Sequence, residues 1–476
     1  MTDLLRYHEV RSPQSWNPLA AATRLCRSTP FRDFVLYEND GVWHYAGGTA
    51  GQLLVDSRTV SVSWPGKEAT AEWDDNPLPV MAAMLREFPA EQWNAFGWLT
   101  FELSYFLHGL RTLPAPDSGL PLVRLIIPHT EALIDASGVV VRSLSRSSAT
   151  GCLELMEQPG GVTGTPRQVP ADTGRAEYRD AVSAAIADIR AGSLEKVIVS
   201  RRVPLGLPVD MAATYRAGRE ANTPARSFLL HLGGFEAAGF CPETVVEVSP
   251  DGHVVTQPLA GTRAFGRGAD DDHALRAELV SDPKEVYEHA ISMRTSWEEL
   301  GLVCVPGSVH VDVPMDVKFR GTVQHLGSVV SGQLAPGRTA LDALAAVFPA
   351  VTASGIPKAA ACSRIATLEP TARGLYSGSV FRLDSAGGLD AALVLRSVYQ
   401  QAGQAWLQAG AGIVGASRPD REYTETCEKL ASVARHIVPA ANLDVDVVSG
   451  PSPVVAAHSV ASAPATEVHA VSGGAA

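Results

Sequence analysis

The sequence is poor in cysteine, has fewer basic than acidic residues and contains no long apolar run. Its 476 residues include six cysteines, at 26, 152, 241, 304, 362 and 427. None falls in C-x-x-C spacing, which speaks against a thiolate zinc site or a disulfide framework and for reduced thiols in a cytoplasmic protein. Lys and Arg number 39 against 51 Asp and Glu, for a net charge of −12. That balance argues against a nucleic-acid or anionic-membrane partner, either of which needs a basic face. No stretch of roughly 18 uninterrupted apolar residues exists to span a bilayer. The opening "MTDLLRYHEVRSPQSW" lacks an apolar segment followed by a small-residue cleavage site, so no secretory leader is expected. What is present, 46% hydrophobic and 19% charged residues, suits a globular chain with a large core.

Along the chain, residues 1–150 carry strand and turn signals such as "GVWHYAGG" and "LIIPHTEALIDASGVVVRS". Residues 151–174 are rich in Gly, Pro and Thr and are expected to connect. "RAEYRDAVSAAIADIRAGS" spaces Tyr178, Val182, Ile186 and Ile189 helically, with Gly192 as a stop. "KVIVS" and "VHVDVPMDVKF" are strands. "TVVEVSPDGHVVTQPLAG" is a hairpin turning at Asp251-Gly252, and "GLDAALVLRSVYQQAGQAWLQAGAGIV" a second one turning at 401–403. Helical patterns cover about 272–300, 339–347 and 419–437. Tight turns between strands imply antiparallel sheet, and with the helices an α+β architecture over 175–440. Residues 441–476 contain no Lys or Arg, are dominated by small residues, and are expected to be disordered.

Two stretches pose the chemical question. "KEVYEHAISMR" sets Glu285 and Glu288 three apart, and "DREYTETCEKLASVARHIV" repeats that spacing with Glu422 and Glu425. On a helix each pair shares one face. The bland reading is two solvated faces, supported by the i,i+4 pairs Lys284/Glu288 and Glu425/Lys429. The sharper reading is two halves of one all-oxygen metal site, which suits Mg²⁺. Zinc is disfavoured, because H-x-x-E-H needs a histidine where Glu285 stands. Lys196 opens an apolar strand, where it is either an edge residue or a desolvated general base. Glu243 follows a proline and precedes a strand. "PLAGTR" and "QAGAGIV" offer glycines that let backbone N–H groups approach a carboxylate. "RGLYSGS" and "LVLRSVY" add Tyr376 and Arg396, the latter in mid-strand and either a structural ion-pair partner or a ligand contact.

Taken in order, "KVIVSR", "CPETVVEV", "QPLAGTR", "KEVYEHAISMR", "VQHLGS", "FPAVTASGIPKAAA", "RGLYSGSV", "LDAALVLRSVY", "WLQAGAGIV" and "REYTETCEKL" resemble the chorismate-utilising enzymes. The resemblance is strong over about 175–437 and loose over the first 150 residues. It implies two large antiparallel sheets packed together and surrounded by helices, as in anthranilate synthase component I, with residues 1–150 completing that fold. Ammonia-using members typically have glutamine where this chain has Lys196. Aminodeoxychorismate synthases have "PIKGT", with a lysine where this chain has Ala260. Lys196 with Ala260 therefore implies water as the nucleophile and no glutamine amidotransferase subunit. The "TASGIPKA" stretch looks most like the salicylate synthases of the mycobactin and yersiniabactin type. Cys241 departs from the serine usual before "PE".

The resemblance also implies roles. Glu288 and Glu425 would ligate Mg²⁺ directly, with Glu285 and Glu422 holding its waters. Lys196 would activate water and Glu243 would protonate the leaving hydroxyl. Gly261, Thr262, His325, Thr352, Tyr376, Arg396, Gly410, Gly412 and Lys429 would bind the substrate, chorismate. The expected reaction is chorismate to isochorismate and then to salicylate plus pyruvate. The alternative is an isochorismate synthase that releases its first product.

Overall fold

Period-two alternation recurs along the chain and builds two antiparallel sheets, one of 11 strands and one of 12. The computed structural model describes residues 4–13, 16–113, 115–158 and 161–440; the tail at 441–476 lies outside them. Both sheets interleave strands from the two ends of the sequence. In the first, Phe34–Asn39 pairs with Arg226–Leu232. In the second, Asn94–Leu99 pairs with Ser379–Asp384. The sheets face each other across an aromatic layer. Tyr37, Phe228, Phe235 and Tyr399 come from one side, and Phe96, Trp98, Ile126 and Val380 from the other. Burying each such ring contributes roughly 1.5–3 kcal/mol, which makes this layer a principal cohesive element. Among the described residues no helix is long and apolar enough to cross a membrane.

Two of the places where the chain passes between the sheets lie side by side. Phe235–Cys241 lies in the first sheet and Thr244–Val248 in the second, so Pro242 and Glu243 form a crossing. Leu389–Leu393 lies in the second sheet and Ser397–Gln401 in the first, so Val394, Leu395 and Arg396 form another. The crossings are tied by Leu393 N–H to Glu243 C=O (3.2 Å) and Phe240 N–H to Arg396 C=O (3.1 Å). Arg396 takes φ +51°, a left-handed conformation that costs a non-glycine residue on the order of 1 kcal/mol or more. This corrects the reading of "GLDAALVLRSVYQQ" as one arm of a hairpin: Arg396 is a corner, not mid-strand. The turn at 401–403 does occur, with Ala402 and Gly403 at positive φ.

Two more boundaries differ from expectation. The helical pattern at 272–300 is two helices, Ala269–Ser281 and Pro283–Gly301. Asp282 before a proline is pushed to extended backbone (ψ 114°) and ends one helix while capping the next. The connecting segment begins later than 151, because helix Arg146–Glu157 runs into it and buries Cys152 and Met156.

Candidate active site

Both E-x-x-E pairs begin at helix starts. Pro283–Gly301 packs on the second sheet, through Leu259–Ala264 and Val323–Gln333, and Pro419–Ala434 on the first, through Gln404–Ile413. Each has proline in its first turn, and the N-terminal dipole favours carboxylates there. The two helices bring all four acids together. Glu285, Glu288, Glu422 and Glu425 are each at most 6% exposed, which rules out solvated helix faces.

Four acids so close need cations. Lys284 Nζ lies 3.4 Å from Glu285, 3.3 Å from Glu288 and 3.8 Å from Glu422. Arg263 pairs with Glu285 (2.9 Å), whose other oxygen accepts the Thr262 N–H (3.2 Å). Lys429 pairs with Glu425 at 2.7 Å and donates to the Gly410 carbonyl at 3.0 Å. Burial works to raise Glu288 and Glu425, but Lys196 and Lys284 hold the first, and Lys429 and Lys284 the second, below the usual carboxylate range. Burial and the Glu425 charge push Glu422 the other way, up to about 7. Glu422 Oε2 is buried without a hydrogen-bond partner. Among the described residues no three acids, histidines or cysteines converge into a ready-made metal cluster; the Lys284 ammonium stands among the acids.

Lys196 opens strand Lys196–Pro204 and is fully buried. Its Nζ pairs with Glu288 Oε1 at 3.0 Å and donates to Ser292 Oγ at 3.0 Å. On the neighbouring strand, a Cβ at Gly412 would sit 2.1 Å from Glu288 Oε1 and 3.3 Å from Lys196 Cε. Glycine there makes the space in which acid and lysine meet.

Glu243, at the first crossing, is the acid without a cation in contact. It accepts from the Leu259 N–H (2.9 Å) and the Thr352 hydroxyl (3.1 Å). Burial outweighs these bonds and lifts its carboxyl to about 7. At neutral pH it is therefore part protonated.

Arg396, at the second crossing, is a buried guanidinium with no carboxylate in ion-pair distance among the described residues. Its one side-chain partner is His325 Nε2, at 3.3 Å. His325 Nδ1 lies 3.1 Å from both the Gly261 carbonyl and Thr262 Oγ1. The carbonyl can only accept, so the proton is on Nδ1 and Nε2 is free to accept from Arg396. Burial, together with Arg396 and Lys429, holds this imidazole neutral, down to about 3. An uncompensated buried arginine is costly and marks where an anion is to bind. The Tyr376 hydroxyl stands close by, 3.0 Å from where a Gly410 Cβ would lie.

One cavity gathers most of the expected residues: Glu243, Gly261, Thr262, Glu288, His325, Thr352, Tyr376, Arg396, Gly410, Gly412, Glu425 and Lys429. Three stand apart. Lys196 lies behind Glu288, while Glu285 and Glu422 border the adjoining opening beside Lys284. The chain matches the chorismate binding enzyme family over residues 33–435. It is a chorismate-utilising enzyme. A salicylate synthase of Mycolicibacterium paratuberculosis is 43% identical over 85% of this chain and 90% of its own length. Anthranilate synthase component 1 of Mycolicibacterium smegmatis is 32% identical over 90% of each chain. Among solved structures, anthranilate synthase component I of Streptococcus pneumoniae superposes with a TM-score of 0.71 at 26% identity, covering 86% of this chain and 93% of that one. The menaquinone-specific isochorismate synthase of Escherichia coli shares the fold at 0.69 and 20% identity, over 90% and 94%.

Three cations at this site were not legible in the sequence, unlike Lys196 and Lys429. The i,i+4 spacing of Lys284 and Glu288 fits a solvated face equally well, since it carries no information on burial. Arg263 closes the "PLAGTR" motif but has nothing in its spacing to link it to Glu285. Arg373 of "RGLYSGS" was passed over. It pairs with Glu369 (2.6 Å) and donates to the carbonyls of Ile198 (2.8 Å) and Ala353 (2.7 Å), fastening the cavity wall.

Proposed function

We propose that the chain is a salicylate synthase. It converts chorismate to isochorismate and then to salicylate plus pyruvate in the cavity between the two sheets. Lys196, where the resemblance puts the water-activating residue, and Glu243, a buried carboxyl with a pKa near 7 at the sheet crossing, support the first step, which an isochorismate synthase would share; the likeness to a salicylate synthase carries the second. The similarity to a salicylate synthase over most of both chains supports the same reading.

Chorismate brings two carboxylates. Arg396, lacking a counter-charge, takes the enolpyruvyl carboxylate, with the Tyr376 hydroxyl and the Gly410–Gly412 backbone beside it. Lys429 lies where the ring carboxylate is to be held. Lys196 can accept a proton from water only as the free amine, so it must first give up one ammonium proton and leave its pairing with Glu288. The hydroxide then attacks ring C2, the C4–O bond breaks, and Glu243 delivers a proton to the departing hydroxyl. One hydroxyl is added and one lost, so the product is an isomer. In the second step the C2 hydrogen passes to the enolpyruvyl methylene as the C–O bond breaks. The ring becomes aromatic and pyruvate leaves. No further acid or base is required; the cavity has only to hold the side chain folded over the ring.

The donor set fits Mg²⁺. Four buried carboxylates, one oxygen of Glu422 unpartnered and an ammonium lodged among them all call for a hard cation. Glu288 and Glu425 would hold the ion directly, and Glu285 and Glu422 through water. Bound there, it would neutralise the acids and offer positive charge to the ring carboxylate.

The test is product analysis with chorismate and Mg²⁺, reading salicylate fluorescence and pyruvate together. The expected result is equal amounts of both, abolished by EDTA and restored by Mg²⁺. Isochorismate as the end product would favour the alternative enzyme. Anthranilate formed at high ammonium would overturn water as the nucleophile.

A further inference from the structure

A roomy cavity lies apart from the one that gathers the candidate site residues. About 770 Å³ in volume, it lies further along strand Lys196–Pro204, against Gln404–Ile413 and helix Arg175–Arg190. Its character is set by three residues on one face. Arg202 and Gln408 are cross-strand partners, and Trp406 is two residues before Gln408, so all three side chains point the same way. The Arg202 guanidinium lies over the indole of Trp406, 3.7 Å from the ring centroid. It has no carboxylate in ion-pair distance among the described residues. Of the other ions lining the cavity, Arg201 is engaged with Thr426 Oγ1 and two backbone carbonyls and Glu369 with Arg373, while Glu177 on helix Arg175–Arg190 is exposed. Gln408 is 3% exposed; its Nε2 donates to Ser200 Oγ (2.9 Å), yet its Oε1 has no partner. A buried amide oxygen without a donor is costly, so the site lacks one donor, and the solvent-exposed Arg202 beside it offers a positive charge to a ligand.

We infer that this cavity is a second binding site, for a small hydroxylated aromatic carboxylate. Arg202, stiffened by its stacking on Trp406, takes the carboxylate as a fork. Leu207, Leu368 and Tyr178 wall the ring. Gln408 Oε1 accepts the hydroxyl proton. Gln408 and the strand it sits on also border the catalytic cavity, so the two sites share a wall. Salicylate belongs to this ligand class, and naming it as the natural occupant rests on the reading of function above; the site chemistry does not.

The experiment is calorimetric titration of the full chain with 4-hydroxybenzoate, benzoate and salicylate, with no turnover required. Wild type should show two classes of site. Arg202→Gln should weaken one of them roughly 10- to 100-fold, the scale of a lost charge-assisted contact, and leave chorismate turnover unchanged. Arg202→Lys, which keeps the charge but not the fork, should fall between. In kinetics, 4-hydroxybenzoate should inhibit wild type in a mixed pattern against chorismate and Arg202→Gln competitively. Benzoate should bind the second site more weakly than 4-hydroxybenzoate, since it cannot satisfy Gln408. A single class of site, or two classes both indifferent to Arg202, would overturn the inference. Because binding is read without turnover, that outcome would leave the product assay untouched, and a wrong product would not remove the site.

Discussion

At the scale of single residues, the account rests on a division of labour. Lys196 and Glu243 act on the ring in the first step and have no proton to move in the second. Lys196→Gln should therefore cut salicylate formation from chorismate by roughly 100- to 10,000-fold, the usual size of a lost general base. Supplied with isochorismate, the same variant should keep a substantial fraction of wild-type pyruvate release. Equal losses on both substrates would mean that Lys196 only holds the ligand, as its contact with Glu288 would then suggest. Glu243 gives a pH signature. It donates only when protonated, and burial places its pKa near 7. Thus kcat/KM for chorismate should fall as pH rises through about 7 and Glu243 loses its proton, while turnover of isochorismate should lack that limb. An alkaline limb of the same size with both substrates would remove the donor role.

At the scale of elements, the site depends on where helices start and where strands change sheets. Asp282 caps Pro283–Gly301 by accepting the Lys284 N–H (2.9 Å), and its other oxygen holds Arg263 (2.6 Å), which in turn holds Glu285. Asp282→Ala should cost the first turn about 1 kcal/mol. Amide exchange in that turn should quicken, and calorimetric Mg²⁺ affinity should drop while the sheets stay protected. Unchanged exchange and affinity would show that the acids are placed without this cap. The start at Pro419 was legible in the sequence, from its helical spacing, but the start at Pro283 was not, because the apolar pattern runs on across Asp282 as though 272–300 were one helix. Nor was the corner at Arg396. An inward-facing residue before the crossing and one after it keep the alternation of a single strand, and a left-handed φ leaves no mark in residue type when glycine is absent. The pairing of Lys196 with Glu288 spans 92 positions and depends on a helix packed on the second sheet meeting a strand of the first, so only the assembled fold reveals it.

At the scale of the whole molecule, catalysis follows from the sandwich. Two sheets with interleaved strands leave a cleft where two of their chain crossings meet. That cleft receives the Glu243 carboxyl from one crossing, the Arg396 guanidinium from the other, and acids from a helix on each side. The arrangement is suited to holding a dianion closed off from water while its ring is rearranged and then made aromatic. The central claim is that both steps occur there without release between them. Single-turnover quench kinetics, with enzyme and Mg²⁺ in excess over chorismate and all four compounds quantified, test this most directly. The account predicts that isochorismate rises and then disappears, and that salicylate and pyruvate each finish equal to the chorismate supplied. Isochorismate persisting as the end product, with no pyruvate formed, would contradict it.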